Sequence, residues 1–142
     1  MSEANQNVSP GRNESVFKEY ILDVSIIEVP LASEDGSEYR FDAPEHKDVL
    51  FDDPDSAELY ADVYFDVNGF AEAGTGERGV PPEIIQAGRD TLAAYFLTQP
   101  YADVNWVASF YGKKTTKIER YVAAVRNRSR EIREGAAERG VE

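Results

Sequence analysis

Apolar and polar positions alternate over the first third of the chain and recur at helical spacing over most of the rest. Within VFKEYILDVSIIEVPL, Tyr20, Leu22, Val24 and Ile26 alternate with Ile21, Asp23, Ser25 and Ile27, and Pro30 closes the run. Period-two alternation rich in branched side chains predicts a β-strand. Asp35-Gly36 is a hairpin signal, so residues 38–41 are expected to pair back onto that strand, and 48–51 to add a short third one.

The segment from Asp53 to Gly69 supports two readings. Leu59, Ala61, Val63, Phe65 and Val67 alternate as in a strand, while Leu59, Val63, Val67 and Phe70 form a helical stripe. The end signals favour the helix. Asp53 can cap, Pro54 suits the first helical position, Asp55 and Glu58 suit the first turn, and Asn68-Gly69 can end it. The next helix is predicted from Pro81-Pro82 to Pro100, with Ile84, Gly88, Leu92 and Phe96 on one side, or Ile85, Leu92 and Tyr95. Gly88 costs such a helix about 1 kcal/mol relative to alanine, which suggests close approach of another backbone there.

Asp103 can cap a short helix over 104–111, which Gly112 breaks. Thr116 and Glu119 then fit a capping box that starts a last helix running to about residue 137, with Ile118, Tyr121, Val122, Val125, Ile132 and Ala136 as its apolar positions. The expected class is α+β: a small N-terminal antiparallel sheet, then a bundle of three to four helices ending in a long one. Residues 1–15 read as a polar arm, flexible or held by a partner. Residues 16–142 read as a single domain, β-rich over 16–51 and mainly helical over 53–137.

Composition narrows the chemistry. With no cysteine, disulfides, thiolate metal sites and cysteine nucleophiles are excluded. The N-terminal residues lack the charged and apolar regions of a signal peptide, and no run is long enough to span a membrane, so a soluble protein made without export is expected. There are 27 acidic against 15 basic residues, and few of the latter are lysine. In this the chain resembles proteins of halophilic archaea or of their viruses, whose carboxylate surfaces keep them hydrated at high salt. That resemblance implies a virion, or the cytoplasm of a halophilic archaeal host. The charge is uneven: residues 1–100 carry 21 acids and 6 bases, residues 101–142 carry 6 and 9. A basic block on an acidic chain calls for an anionic partner, either nucleic acid or the acidic face of a neighbouring subunit.

No motif makes a positive case for an enzyme. GTGERG (74–79) matches the dinucleotide-loop spacing, but Val80-Pro81-Pro82 removes the backbone donors such a loop needs, so it reads as a plain loop. Asp52, Asp53, Asp55, Asp62 and Asp66 lack EF-hand spacing. His46, the one histidine, sits between Glu45 and Lys47 and reads as solvent-exposed. No metal or cofactor is expected, and the sequons at Asn13 and Asn127 read as chance.

WVASFYGKKTTKIERYV (106–122) has the form of a helix-turn-helix: Val107, Ala108 and Tyr111 before Gly112, then Ile118 and Tyr121. Lys113 departs from it, standing where an apolar residue is usual, and the second helix is long. Ile118, Val122, Val125, Ser129 and Ile132 share one face, with Lys117, Arg120 and Arg128 to one side and Arg126, Arg130 and Arg133 to the other. Lys113, Lys114, Lys117, Arg120, Arg126, Arg130 and Arg133 are the candidate contacts to a partner or DNA. Ile84, Gly88, Leu92, Phe96, Ala108, Gly112, Ile118, Val122 and Val125 are the candidate helix-packing positions. The segment VPPEIIQAGRDTLAAYFL (80–97), after a helix-like stretch and a glycine-rich loop, resembles the central helix of head–tail adaptor proteins of tailed viruses. The resemblance implies a non-enzymatic ring subunit, homo-oligomeric and bound to portal and neck proteins. The alternative is a helix-turn-helix DNA-binding regulator.

Overall fold

The computed structural model describes residues 14–31, 36–44, 46–69 and 81–140; the arm up to residue 13, Asp35 of the hairpin signal and the GTGERG stretch lie outside them. Four strands, β1 (Ser15–Glu19), β2 (Ser25–Pro30), β3 (Ser37–Asp42) and β4 (Val49–Phe51), form an antiparallel sheet in sequential order. Ile26, Phe41 and Val49 stand in one cross-strand row whose first two members are fully buried. The neighbouring row, Ile27, Arg40 and Leu50, points to the other face. There Arg40 binds Glu14 at 3.1 Å and Asp42 at 3.0 Å.

The alternation over 20–30 is not one strand. Leu22 and Asp23 have φ of 67° and 62°, so the chain turns between β1 and β2. A type I′ hairpin turn requires positive φ at both central residues, usually supplied by Asn or Gly. Here Leu-Asp takes the turn, closed by the Tyr20 amide donating to the Val24 carbonyl at 2.8 Å.

Five helices follow: α1 (Pro54–Asp66), α2 (Pro82–Ala87), α3 (Arg89–Leu97), α4 (Val104–Tyr111) and α5 (Thr115–Glu138). The chain is thus α+β, with a long C-terminal helix. The ambiguous 53–69 segment is helical because its cap forms: the Asp53 carboxylate accepts from the Ser56 amide at 2.8 Å. Helix α1 packs on β3 and β4 on one side and on α3 and α5 on the other. It is therefore buried over much more than one stripe, with Tyr60, Ala61 and Val63 all inaccessible. Tyr60 sits 5.0 Å from Phe41 and 5.1 Å from Phe51, ring to ring. One apolar cluster runs from Val24 and Ile26 through α1 and α3 to Ile118 and Val125.

Two predicted helix features differ. The 81–100 segment is two helices, not one, because Gly88 has φ 125° and ψ 171°. Gly88 is exposed, and a Cβ there would meet only the Asp90 carboxylate at 3.6 Å, so backbone conformation rather than helix packing demands the glycine. The last helix starts at Thr115 with Lys114 as its uncapped N-cap, which places Thr116 inside the first turn and leaves no capping box with Glu119. Ile118, Val125, Ser129 and Ala136 of that helix are buried as its apolar spacing predicts.

In a continuous helix Gly88→Ala would stabilise by about 1 kcal/mol. At the observed φ and ψ, which only glycine adopts without strain, it is expected to destabilise by about 1–3 kcal/mol. The sign of the shift in the urea midpoint separates the two.

Candidate interaction surface

The basic helix is not a free basic face. Asp62 and Asp66 lie one turn apart on α1, on the side that meets α5. Arg126 reaches Asp62 at 2.9 Å, and Arg133 reaches its other oxygen at 3.0 Å. Arg128 binds Asp66 through Nε at 2.7 Å and through its second terminal nitrogen at 3.0 Å, and Asp90 of α3 at 2.9 Å. Thr91 completes this corner by donating to Asp66 at 2.7 Å. Two of the five aspartates weighed as an EF-hand-like cluster, Asp62 and Asp66, thus hold arginines. Among the described residues no group of three or more His, Cys, Asp or Glu side chains could hold a metal ion.

Arg133 also lies 5.3 Å from the Tyr20 ring and 5.4 Å from that of Phe65, so the β1–β2 turn is clamped onto α5. Burial, and then the Asp62 charge, push the Tyr20 phenol well above its ordinary value. Arginines occur on both sides of the Ile118–Ile132 stripe because the stripe sits down between α1 and α3. Arg126 and Arg133 grip Asp62 on one side, and Arg128 grips Asp66 and Asp90 on the other. Of the seven cations proposed as partner contacts, Arg126 and Arg133 are therefore engaged within the chain. Arg130 is exposed, 4.0 Å from Glu134. Lys113, Lys114, Lys117 and Arg120 are exposed at the α4–α5 turn and the start of α5, with Lys117 5.6 Å above the Tyr121 ring.

That turn has the expected form. Gly112 is left-handed (φ 66°, ψ 37°), and its exposed position makes it a turn residue rather than a packing one. Asp103 caps α4 by accepting from the Trp106 amide at 2.8 Å. Among the other packing positions, Ile84, Ala108 and Phe96 are buried and Leu92 and Val122 half-buried. His46 is the reverse of its sequence reading: it is buried, with Nε2 2.9 Å from the Tyr60 hydroxyl and its ring 5.3 Å from Phe41.

The feature missed in the sequence is the outer face of α4. Val107 and Ala108 turn inward, and Trp106 and Phe110 turn outward, 38% and 52% exposed. Their rings stack at 5.5 Å and 8°, and Tyr101, 56% exposed, meets Trp106 edge-on at 5.3 Å. Phe96 supports both from below, at 5.5 and 5.2 Å. At the rim, burial pushes the Tyr111 phenol up to about 12, and its hydroxyl donates to the Arg89 carbonyl at 3.3 Å. A sequence signal existed: between Asp90 and Lys113, 22 residues carry one charge, the capping Asp103, in a chain that is 30% charged.

No protein family, curated protein or solved structure matches the chain. No helix among the described residues is long and apolar enough to cross a membrane.

Arg128→Ala is expected to lower stability by about 2–3 kcal/mol, because Asp66, only 3% exposed at its side chain, loses a two-pronged charged partner. Arg130→Ala, removing an exposed pair, should cost less than about 0.5 kcal/mol. Denaturant midpoints of the two variants check this, and equal losses would contradict the network.

Proposed function

We propose that this chain is a non-enzymatic assembly subunit that joins further copies of itself through the outer face of α4. The observation carrying this reading is the stacked, exposed Trp106–Phe110 pair with Tyr101 beside it, on a helix without a single charged residue. Elsewhere the chain hydrates its surface with carboxylates. A continuous uncharged aromatic patch there is the composition of an interface core rather than of a solvated surface. The exposed Lys113 and Lys114 border that patch, and the rest of the chain supplies the acidic counterpart.

Placing the subunit in a halophilic tailed-virus particle, as a head–tail connector, is the finer form of the proposal. It draws on the acidic composition and on the likeness of residues 80–97 to adaptor helices. The break at Gly88 removes a continuous central helix from that likeness, whereas the α4 surface supports assembly independently of it.

A second reading has one observation in its favour. Lys113, Lys114, Lys117 and Arg120 are exposed around left-handed Gly112, where a helix-turn-helix presents its reading helix to DNA. Lys117→Ala with Arg120→Ala is then expected to weaken duplex binding and flatten its salt dependence. An affinity that this pair leaves unchanged ends that reading.

For the assembly reading, light scattering is expected to give a mass above the 15.8 kDa of one chain, falling to one chain in Phe110→Asp. Trp106, the sole tryptophan, provides a second readout, since its emission should shift to shorter wavelength on association. A wild-type chain that stays monomeric at all concentrations and salts overturns the proposal.

A further inference from the structure

Beside the aromatic face lies a cavity of about 340 Å³, walled by β4, by the start of α1 at Asp52, Asp53 and Ser56, and by the segment from Leu97 to Ala102. Leu50, 53% exposed, stands at its rim. Several of its polar groups are paired within the chain. The Thr98 hydroxyl donates to the Tyr95 carbonyl at 2.6 Å and accepts from Gln99 at 2.9 Å, and Asp53 holds the Ser56 amide. Its apolar wall, made by Val49, Phe51, Leu97 and Pro100, can take a ring, while Asp52 and Asp53 give it an acidic edge.

The cavity and the aromatic face share one structural segment. Pro100 and Ala102 line the cavity, while Tyr101 between them packs on Trp106. The charges are divided across that segment: exposed Asp52 and Asp53 at the cavity, exposed Lys113 and Lys114 just past Phe110. Knob and hole thus meet at the 97–102 segment, with the bases just past the knob and the acids at the hole. Complementary halves placed side by side are satisfied together when two copies meet about a two-fold axis, each giving its knob to the other's hole.

We infer that a second copy of this chain docks reciprocally on this flank, Phe110 of each copy entering the other's cavity and Lys113 and Lys114 of each facing the other's Asp52 and Asp53. This rests on the α4 association reading and specifies its geometry. The contact closes as a dimer, so a ring would have to be built from dimers through another surface.

The test uses charge reversal on the full chain. Lys113→Glu with Lys114→Glu puts acids against Asp52, and Asp52→Lys puts a base against Lys113 and Lys114. None of these positions is buried, and the cap Asp53 is left intact, so circular dichroism should be unchanged in both variants. At low salt, where surface charges are not screened, each variant alone is expected to dimerise about tenfold or more weakly than wild type. Mixed in equal amounts, they should regain much of the lost affinity, because the mixed pair keeps one wild-type contact and sets the introduced acids against the introduced base in the other, with Asp53 the one acid left opposing them. Recovery at twice the chain mass, with the Trp106 emission shift restored, supports the inference. Three results overturn it. Association lost in Phe110→Asp but indifferent to the reversals, or not recovered on mixing, sinks the reciprocal geometry and leaves the association surface standing. A mass that keeps growing with concentration shows head-to-tail docking instead. A monomeric wild type, with or without added duplex DNA, removes the inference together with the reading it rests on.

Discussion

Asp62 and Asp66 set the arrangement of everything behind the sheet. Both carboxylates are nearly removed from water, at 10% and 3% side-chain exposure. A desolvated carboxylate without partners is costly enough that its partners become structural requirements. The arginines of α5 meet that requirement, with Arg128 bridging to α3 through Asp90 and Arg133 reaching over Tyr20 to the β1–β2 turn. Sheet turn, central helix, α3 and α5 are thus tied at one corner. Because Gly112 joins α4 directly to the held helix, that corner also fixes where the aromatic face points.

The same network changes what the positive charge of the chain can do. Counted along the sequence, residues 113–133 are a basic block of eight cations. In the fold, Arg126, Arg128 and Arg133 of that block neutralise the chain's own aspartates, and these part-buried pairs are screened far less by salt than exposed ones. The cations at the start of α5 stay outside. The outward-facing positive region is therefore short, and it sits at the edge of an apolar patch. This arrangement suits a contact with hydrophobic centre and charged rim more closely than a long groove for a nucleic-acid backbone.

Local rules were sufficient where the chain obeyed them locally. Asp53, Asp103 and Gly112 mark the helix ends they should, 38–41 pairs as a strand, and 49–51 of the 48–51 stretch does too. The β1–β2 turn was hidden because Leu22-Asp23 takes positive φ without a glycine or asparagine to announce it. Gly88 was visible, but a helical glycine and a Gly-only break look alike until φ is known. His46 reads as exposed from its charged neighbours, yet its burial depends on Tyr60 and Phe41 from other elements. The Arg126–Asp62 pair spans 64 residues, and no periodicity connects its members. The aromatic face was half legible, as a charge-free stretch; its outward direction needed the inward packing of Val107 and Ala108.

The size of that face bounds how it can work. An aromatic side chain offers about 150–250 Å² when wholly covered, and here each of the three rings is already partly buried. Together they supply at most a few hundred Å², against about 800 Å² per partner in a stable, specific interface. Helix α4 by itself is therefore too small to hold two chains together. Further apolar surface must come from beside it, and the adjoining exposed groups are Pro100 in the 97–102 segment and Leu50 at the rim of the cavity. An association built on the stacked pair has to extend across that segment. This is why the cavity and the aromatic face are better understood as one surface than as two.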